Sequence, residues 1–428
     1  MVSSIKHLIN SRDTRRKLEL MFLVIAAVRI LSQIPVPGVD ATVLKSWLQQ
    51  NSNDAFNLFS AMTGGSFENF SVMALGITPY ITASIIIQLM SVVIPTLASW
   101  QKNGESGKKM TEKVTAILGV LLALMQSCAM AIGFGKNGMI ADINVWKVLS
   151  VTVFMTVGTG LCIYLGHILT EKSIGNGASV LIMINIMSRI PSMISSLFSK
   201  DIVKTLISIA VMVIVVLFVV YMGEGVRNIP VQYARKMSPT GEEGYIPVKV
   251  NLANVIPVIF ASSVMAVPQL VASVIGKGYG SGYSKMFLEM LSQANWINKE
   301  HPVYILGMFM FLVLIAFFAW FYTPIVFNPM EIAENIRKQS GVIPGVRLGT
   351  ETESCLETVS NCMTFIGTAM MLFVIIIPIA CSALFGVDVN MGGTSIVIVV
   401  GVALEIVQQI SLEMAGTNYT GFIRREQG

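Results

Sequence analysis

Charged residues are scarce in this chain. Asp, Glu, Lys and Arg together make up 12% of its 428 residues, whereas hydrophobic residues make up 54% and the mean hydropathy is +0.71. Because soluble domains carry about 25% charged residues, this composition excludes an ordinary soluble globular protein. The apolar runs are continuous and do not alternate with polar residues, so they also exclude a transmembrane β-barrel. The sequence therefore predicts a polytopic helical membrane protein.

Cysteine and histidine are also few, and they are dispersed along the chain. Metal sites need clustered ligands, but no two cysteines form a CxxC motif and the histidines lie far apart in sequence. We therefore predict no metal site, no disulfide framework and no cofactor. The residues concerned are Cys128, Cys162, Cys355, Cys362 and Cys381, together with His7, His167 and His301.

Motifs for catalysis and nucleotide binding are missing as well. The chain has no GxSxG and no HExxH motif, and Ser, His and Asp do not recur at depths where they could meet. The stretch SIGNGAS at 173–179 contains glycines, but no lysine follows it, so it does not match a phosphate-binding loop. We therefore predict that the protein is not an enzyme.

Long apolar runs are what the chain does contain. Windows of about 19 residues predict ten membrane spans, of which the fifth is the weakest because Asn185, Ser188 and Arg189 interrupt it. The first span ends in IPVPG without a small-x-small cleavage site, so it does not resemble a cleaved signal peptide. The predicted spans lie near residues 18–36, 72–95, 114–134, 147–170, 177–197, 203–223, 253–275, 303–327, 359–385 and 394–413.

Lysine and arginine predict how the chain is oriented. They concentrate in the N-terminal segment, in the loops that follow spans two, six and eight, and in the C-terminal tail. By the positive-inside rule these segments are cytoplasmic, and an even number of spans places both termini on that side. The two longest cytoplasmic loops, about 224–250 and 328–358, are either solvated loops that fix the topology or a docking surface for a cytosolic partner.

One segment before the second span is too short and too polar to cross a membrane. It reads NLFSAMTGGSFENFS, residues 57–71, and carries Gly64, Gly65 and Glu68. Irregular backbone at membrane depth is tolerated only inside protein or a water-filled cavity, so we expect this piece to dip in from the outer side and return. Beneath an apolar span it indicates a closed pore, in which isoleucines form a constriction that gates by dewetting. The alternative is that those isoleucines merely face lipid or pack.

Ionisable residues inside the spans would indicate a secondary transporter of small solutes, because charge at mid-membrane is retained for ion or substrate coupling. The candidates are Arg29, His167, Arg189 and Glu405. The first three lie toward span ends, where long side chains can reach the interface, and only Glu405 lies deeper. One such acid is thin support, so the transporter is kept as the alternative hypothesis.

A series of motifs resembles the SecY/Sec61-alpha family, whose bacterial form, SecY, is the central channel subunit of the Sec protein translocase. The motifs occur in the family's order, and their wording fits the bacterial form best. The resemblance implies an all-α polytopic membrane protein in which ten transmembrane helices form two pseudo-symmetric five-helix halves around an hourglass pore with a plug. The motifs are IPVPG (34–38), the glycine-bearing segment (57–71), GITPYITASIIIQLM (76–90), GESGKK (104–109), LTEKSIGNGAS (169–179), VKVNLANVIPVIFASS (248–263), FNPMEIAEN (327–335), VIPGVRLG (342–349) and GGTSIVIVV (392–400).

The resemblance also implies how the chain is organised and what it does. A cytoplasmic N-terminal segment (1–17) and a cytoplasmic tail (414–428) flank an N-terminal half with spans one to five (18–197) and a C-terminal half with spans six to ten (198–413). Such a channel moves unfolded secretory proteins across the bacterial plasma membrane. It also releases membrane segments laterally, through a gate between spans two and three and spans seven and eight. An accessory SecY that serves a restricted substrate set stays open as an alternative.

Four groups of site residues follow from the resemblance. The pore ring comprises Ile77, Ile81, Ile182, Ile259 and Ile398. The plug contains Phe59, Met62, Gly64, Gly65, Phe67 and Phe70. The polar positions of the lateral gate are Gln88, Asn176 and Ser262. The residues that dock the motor or the ribosome are Arg347, Arg235, Lys236 and Lys249.

The partners implied by the resemblance are SecE and SecG in the membrane, the motor ATPase SecA, the ribosome, signal peptides and unfolded precursor proteins. The chain is also expected to contact membrane lipids, but not to bind nucleic acid sequence-specifically. Because it has no ATP site, its energy must come from a partner.

Three positions depart from the family pattern. Leu348 replaces a proline, which makes a docking loop less rigid, and Ala178 replaces a bulky residue near the pore lining, which widens the pore. His167 replaces an acid.

Overall fold

The structure, a computed structural model, describes residues 12–37, 39, 63–102, 104–136, 144–191, 202–233, 244–275, 283–291, 296, 302–347, 349–385 and 393–425. The chain folds into two compact units. The first unit comprises Met1–Ser196, Ser262–Gly307 and Val402–Gly428, and the second comprises Leu197–Ala261 and Met308–Gly401. The predicted division into an N-terminal and a C-terminal half at residue 197 stays a prediction.

α-Helices account for most of the described residues. In chain order they are α1 (Arg12–Leu31), α2 (Thr78–Val93), α3 (Pro95–Lys102), α4 (Gly104–Lys136), α5 (Val145–Lys172), α6 (Gly177–Met187), α7 (Ile202–Glu224), α8 (Ile256–Ile275), α9 (Tyr283–Met290), α10 (Ile305–Val326), α11 (Pro329–Lys338), α12 (Thr350–Phe385) and α13 (Gly393–Arg425). A 3₁₀ turn at Pro302–Tyr304 precedes α10.

Each of the ten predicted spans overlaps one of these helices. Among the described residues, six stretches of helix are long and apolar enough to cross a membrane, and they fall on α4, α5, α7, α10, α12 and α13. The shorter apolar helices α2, α6 and the first part of α8 lie on predicted spans two, five and seven, and α1 covers most of the first. On α7, Leu206 and Leu217 are 70% and 63% exposed. Exposed apolar faces of this kind need a lipid environment.

Several helix boundaries differ from the predicted spans, and two of the differences have a local cause. α2 begins at Thr78, because residues 72–77 form turns. Pro79 lies in its first turn, where a missing N–H breaks no intrahelical hydrogen bond, and α2 ends just before Pro95. α6 ends at Met187 and is followed by a turn at Ser188 and Arg189, so the polar residues that weakened the fifth predicted span mark the end of its helix.

The second unit contains a three-stranded antiparallel sheet with the strand order β2-β1-β3. β1 (Val226–Tyr233) pairs with β2 (Gly244–Lys249) from Val226↔Lys249 to Val231↔Gly244. β1 also pairs with β3 (Gly341–Val342). The buried faces of the strands pack against α11 and α12 in one apolar cluster, which contains Ile229, Val231, Val248, Phe327, Ile336, Ile343, Leu356 and Met363. The two long predicted loops, about 224–250 and 328–358, thus contribute strands to one folded element, which the sequence did not predict.

The first unit is built around α4, which packs against α2, α3 and α5. Its core combines residues of α4 and α5 with residues from the chain between α1 and α2. The buried members are Val36, Phe67, Phe70, Ala74, Leu75, Ala123, Met130, Ala131, Phe134, Val151 and Met155. This core places residues 63–71 against the side of α4.

Candidate functional site

Residues 63–71 of the first unit, called the turn segment below, are the described part of the glycine-bearing stretch 57–71. Apart from a single helical position at Thr63 and an isolated antiparallel β-bridge between Ser71 and Pro35, they form successive turns. The segment ends beside the chain that leaves α1, where Val36 N–H donates to Phe70 O at 2.9 Å and Val72 N–H donates to Ile34 O at 3.0 Å. The segment therefore folds back on itself within the unit and does not form a span.

One side of the turn segment is apolar and fully buried. Phe67 and Phe70 each have 0% exposure. Their ring centroids lie 6.0 and 5.8 Å from that of Phe134 on α4, in tilted and edge-to-face geometry. Burying each phenylalanine is worth roughly 1.5–3 kcal/mol, so this side packs the segment firmly against α4.

The other side of the turn segment is polar and is held from two helices. At the end of α1, Arg29 donates from Nη2 to Ile184 O at 2.6 Å and from Nη1 to Gly64 O at 3.3 Å. After α6, Ser188 Oγ donates to Asn185 O at 2.8 Å and lies 3.4 Å from Gly64 O. Arg189 Nη2 lies 3.0 Å from Glu68 Oε1. Cationic donors thus meet both a carbonyl and the carboxylate of the segment.

The two glycines of the segment share a left-handed backbone conformation, and Gly64 is in addition closely surrounded by other atoms. Gly64 and Gly65 have φ of +65° and +82°, a left-handed conformation that costs other residues roughly 1–2 kcal/mol. A Cβ on Gly64 would also lie 2.7 Å from Arg29 Nη1 and 3.0 Å from Asn185 Cα, whereas a Cβ on Gly65 would meet nothing within 4 Å. Gly64 therefore permits both the turn and the close approach of Arg29.

The five isoleucines assigned to the pore ring are all buried. Ile77 and Ile81 lie one turn apart at the start of α2, and Ile182 lies in α6. Ile259 and Ile398 belong to the second unit, in α8 and α13. Their exposures, in chain order, are 3%, 4%, 2%, 4% and 3%. These low exposures favour packing or pore lining over contact with lipid.

The three polar residues assigned to the lateral gate lie in different environments. Gln88 Nε2 donates to Ser84 Oγ at 3.2 Å, while Gln88 Oε1 is buried without a hydrogen-bond partner among the described residues. Asn176 is the N-cap of α6, because its Oδ1 accepts from Ala178 N–H at 3.1 Å. Ser262 is buried in α8. Asn176 thus has a local structural role that the sequence had not indicated.

A cavity of about 660 Å³ opens between α2, α4, α5 and the start of α6 in the first unit. Two positions that depart from the family pattern, Ala178 and His167, line it together with Ile77. His167 lies between two carboxylates, with Nε2 3.3 Å from Glu171 and Nδ1 3.9 Å from Glu112. Near the end of α5, the histidine therefore lies beside one glutamate of its own helix and one of α4. The sequence could not reveal the contact with α4.

The docking residue Arg347 is exposed on a backbone that is fixed from α12. Its N–H donates to Glu351 Oε2 at 3.4 Å, and its carbonyl accepts from Thr352 Oγ1 at 2.9 Å. The exposed Lys249 ends β2 in the same unit. The other sequence-predicted positions Arg235, Lys236, Leu348, Phe59 and Met62 lie outside the described residues.

Sequence reasoning missed the role of two arginines. Arg29 and Arg189 were predicted to reach the membrane interface from span ends, yet both contact the turn segment. A signal was available in Glu68, because an acid in a half-buried segment needs a cationic partner. Which arginine supplies it depends on tertiary structure.

Comparison with known proteins identifies the family. The SecY family model matches residues 71–407. The protein translocase subunit SecY of Streptomyces galbus is 36% identical over 447 residues, covering 99% of this chain and 100% of the relative. SecY of Escherichia coli K12 is 34% identical, covering 96% and 94%.

The fold also matches solved channel structures. A structure of a protein-conducting channel aligns with a TM-score of 0.68 at 20% identity, covering 94% of this chain and 93% of the other. Sec61 in the canine ribosome–channel complex aligns with a TM-score of 0.65 at 19% identity, covering 94% of each. These likenesses confirm the prediction of a helical polytopic membrane fold. The chain belongs to the SecY family.

Proposed function

We propose that this protein-conducting channel moves unfolded secretory proteins across the bacterial plasma membrane and releases apolar segments sideways into the bilayer. The observation that carries the proposal is the turn segment, which is too short to span and is seated by two buried phenylalanines on one side and by two arginines on the other. An irregular segment of this kind is tolerated at membrane depth only inside protein or a water-filled path. We assign it as the plug of a closed pore.

Five buried isoleucines form the pore ring of this proposal. Branched apolar side chains offer water no hydrogen bond, so a ring of them excludes water and ions by dewetting. The same side chains recognise no particular sequence, which suits a channel for many different precursors. Their exposure of 4% or less supports this role over lipid contact.

The lateral gate of the proposal is lined by Gln88, Asn176 and Ser262. The buried, unpartnered Oε1 of Gln88 supports the assignment, because an unsatisfied acceptor costs free energy that a donor on an entering chain can recover. Asn176 at the N-terminus of α6 adds a side chain whose position is fixed by capping.

The cytoplasmic face of the proposal carries the docking residues Arg347, Lys249, Arg235 and Lys236. Arg347 presents an exposed side chain on a fixed backbone, and the five donors of its guanidinium in a rigid fork suit carboxylates or phosphates of a partner. SecA and the ribosome are the proposed energy sources, and SecE and SecG the membrane partners. A ribosome partner is supported by the solved ribosome–channel complexes of Sec61. Both termini are assigned to the cytoplasm.

Reconstitution tests this function directly. The chain is placed in liposomes with SecE, SecA and ATP are added outside, and a radiolabelled precursor is followed by its protection from protease. We expect protection only when SecA and ATP are both present, and only with an intact signal sequence. Flux of a small solute through the chain alone, without precursor protection, would instead support the transporter hypothesis.

A further inference from the structure

We propose that Arg29 and the Arg189–Glu68 ion pair form a latch that keeps the turn segment closed until a precursor arrives. The inference rests on the assignment of the turn segment as the plug. It adds which side chains set the resting closure of the channel, and why closure can be reversed without unfolding the unit.

The first half of the latch is Arg29. Its guanidinium joins α6 to the turn segment, because its two Nη atoms donate to Ile184 O and to Gly64 O. Hydrogen bonds from a charged donor are stronger than neutral ones. The short bond lies on the α6 side and the long bond of 3.3 Å lies on the Gly64 side, so the guanidinium remains seated on α6 when the segment leaves.

The second half of the latch is the ion pair between Arg189 and Glu68. The two side chains are 23% and 38% exposed, so the pair is partly screened by water and is weaker than a fully buried one. Ser188 Oγ, in the same turn, lies 3.4 Å from Gly64 O and adds only a weak polar contact, because its single proton is directed to Asn185 O at 2.8 Å. All three contacts fall on the polar side of the segment, and none belongs to the apolar core around Phe67 and Phe70.

The separation of the polar contacts from the apolar core distinguishes a latch from contacts that only stabilise the fold. Arg29 and Arg189 lie at the ends of α1 and α6, where changing them removes no buried apolar side chain from either helix. Weak, partly hydrated polar contacts can break and re-form with little cost to the fold. A change in the latch should therefore alter the frequency of resting openings more than it alters the amount of inserted protein.

A charge swap tests the ion pair. The chain is reconstituted with SecE in planar bilayers without precursor, and the frequency of resting openings is recorded. We expect Arg189→Glu and Glu68→Arg each to raise it about threefold, and the double swap to restore it. Arg15→Glu breaks a more exposed pair with Glu19 at 3.3 Å, whose side chains are 61% and 65% exposed, and is expected to leave the resting current unchanged.

Arg29 is tested by a substitution that keeps its charge. Lysine offers a single ammonium in place of a planar fork, so Arg29→Lys is expected to bridge Ile184 O and Gly64 O poorly and to raise resting openings as well. The isosteric Glu68→Gln removes the charge without changing the size of the side chain. It decides the matter if a charge reversal fails to insert, because it too must raise resting openings.

The results separate the latch from the plug assignment. If deletion of residues 63–70 leaves the resting current unchanged, the segment is not the plug and the proposed function is overturned at that point. If the deletion raises the current while inserted Arg189→Glu, Glu68→Gln and Arg29→Lys variants behave as wild type, only the latch is overturned. Failure of the double swap to lower openings below those of the single variants would also overturn the pairing.

Discussion

Replacing Ile398 with Asn tests whether the buried isoleucines line a pore or simply pack. Ile398 lies on α13 with 3% exposure, and its neighbour Val397 is 0% exposed on the same helix. Adjacent helical positions point about 100° apart, so two equally buried residues face different surroundings. Val397→Asn is therefore the matched control, since it buries the same amide in a different direction.

The expected effect follows from the amide. Burying a lone Asn amide costs roughly 1–3 kcal/mol, and a hydrated open pore relieves that cost. The closed state of Ile398→Asn is then destabilised relative to the open state by a similar amount, and each 1.4 kcal/mol corresponds to a tenfold change in the equilibrium. We expect resting openings to rise about tenfold or more. In Val397→Asn the same cost falls on closed and open states alike, so it lowers stability and creates no conductance.

The assay is single-channel recording in planar bilayers with SecE, combined with a measure of correctly inserted protein. Ile398→Asn should leak ions at rest and should also accept precursors with defective signal sequences. The reasoning is refuted if correctly inserted Ile398→Asn shows wild-type resting conductance. It is equally refuted if Val397→Asn conducts as strongly, because burial alone would then explain the leak.

Three further predictions address the turn segment, the docking loop and the topology. Gly64→Ala should raise resting openings more than Gly65→Ala. Both variants strain a left-handed residue, but only the first collides with Arg29 and the α6 backbone. Equal effects in bilayer recordings would contradict this geometry. Arg347→Glu should insert normally yet slow SecA-driven precursor protection several-fold, because its exposed guanidinium becomes a repelling carboxylate; normal translocation would remove Arg347 from docking. Cysteines placed at positions 105, 240 and 345, in a background without the native cysteines, should react only with reagents applied from the cytoplasm, and labelling of position 240 from outside would refute the ten-span topology.

The apolar helices were predictable because their signal is local. An apolar run needs no knowledge of its neighbours, and each predicted span overlaps a described helix, although only six of these helices are long and apolar enough to cross a membrane. The failure of residues 57–71 to resemble a span was local too, since two glycines and an acid interrupt a short stretch. Helix ends were harder, because α6 stops at the turn that carries Ser188 and Arg189 toward the turn segment.

Tertiary pairings were not predictable from one sequence. The partner of Glu68 is Arg189, separated from it by more than a hundred residues, and Arg29 bonds to a carbonyl of α6. The sheet was missed for a similar reason. β1 alone shows a weak strand signal, with Pro230 in its middle, and β3 is only two residues long. Both strands are stabilised by side chains of α11 and α12, which adjoin them only in the folded unit.

In its proposed role as a plug, the turn segment meets two different requirements of a channel with its two sides. A seal has to exclude ions for long periods, which favours the fully buried Phe67 and Phe70, since apolar burial is insensitive to salt and needs no exact partner. A seal also has to open for any precursor, which disfavours strong and specific contacts that hold it closed. The contacts with Arg29 and Arg189 meet this second need because they are directional, partly hydrated and individually weak. Converting the ion pair into apolar packing should therefore tighten closure and slow the response to precursors, whereas removing it should do the reverse.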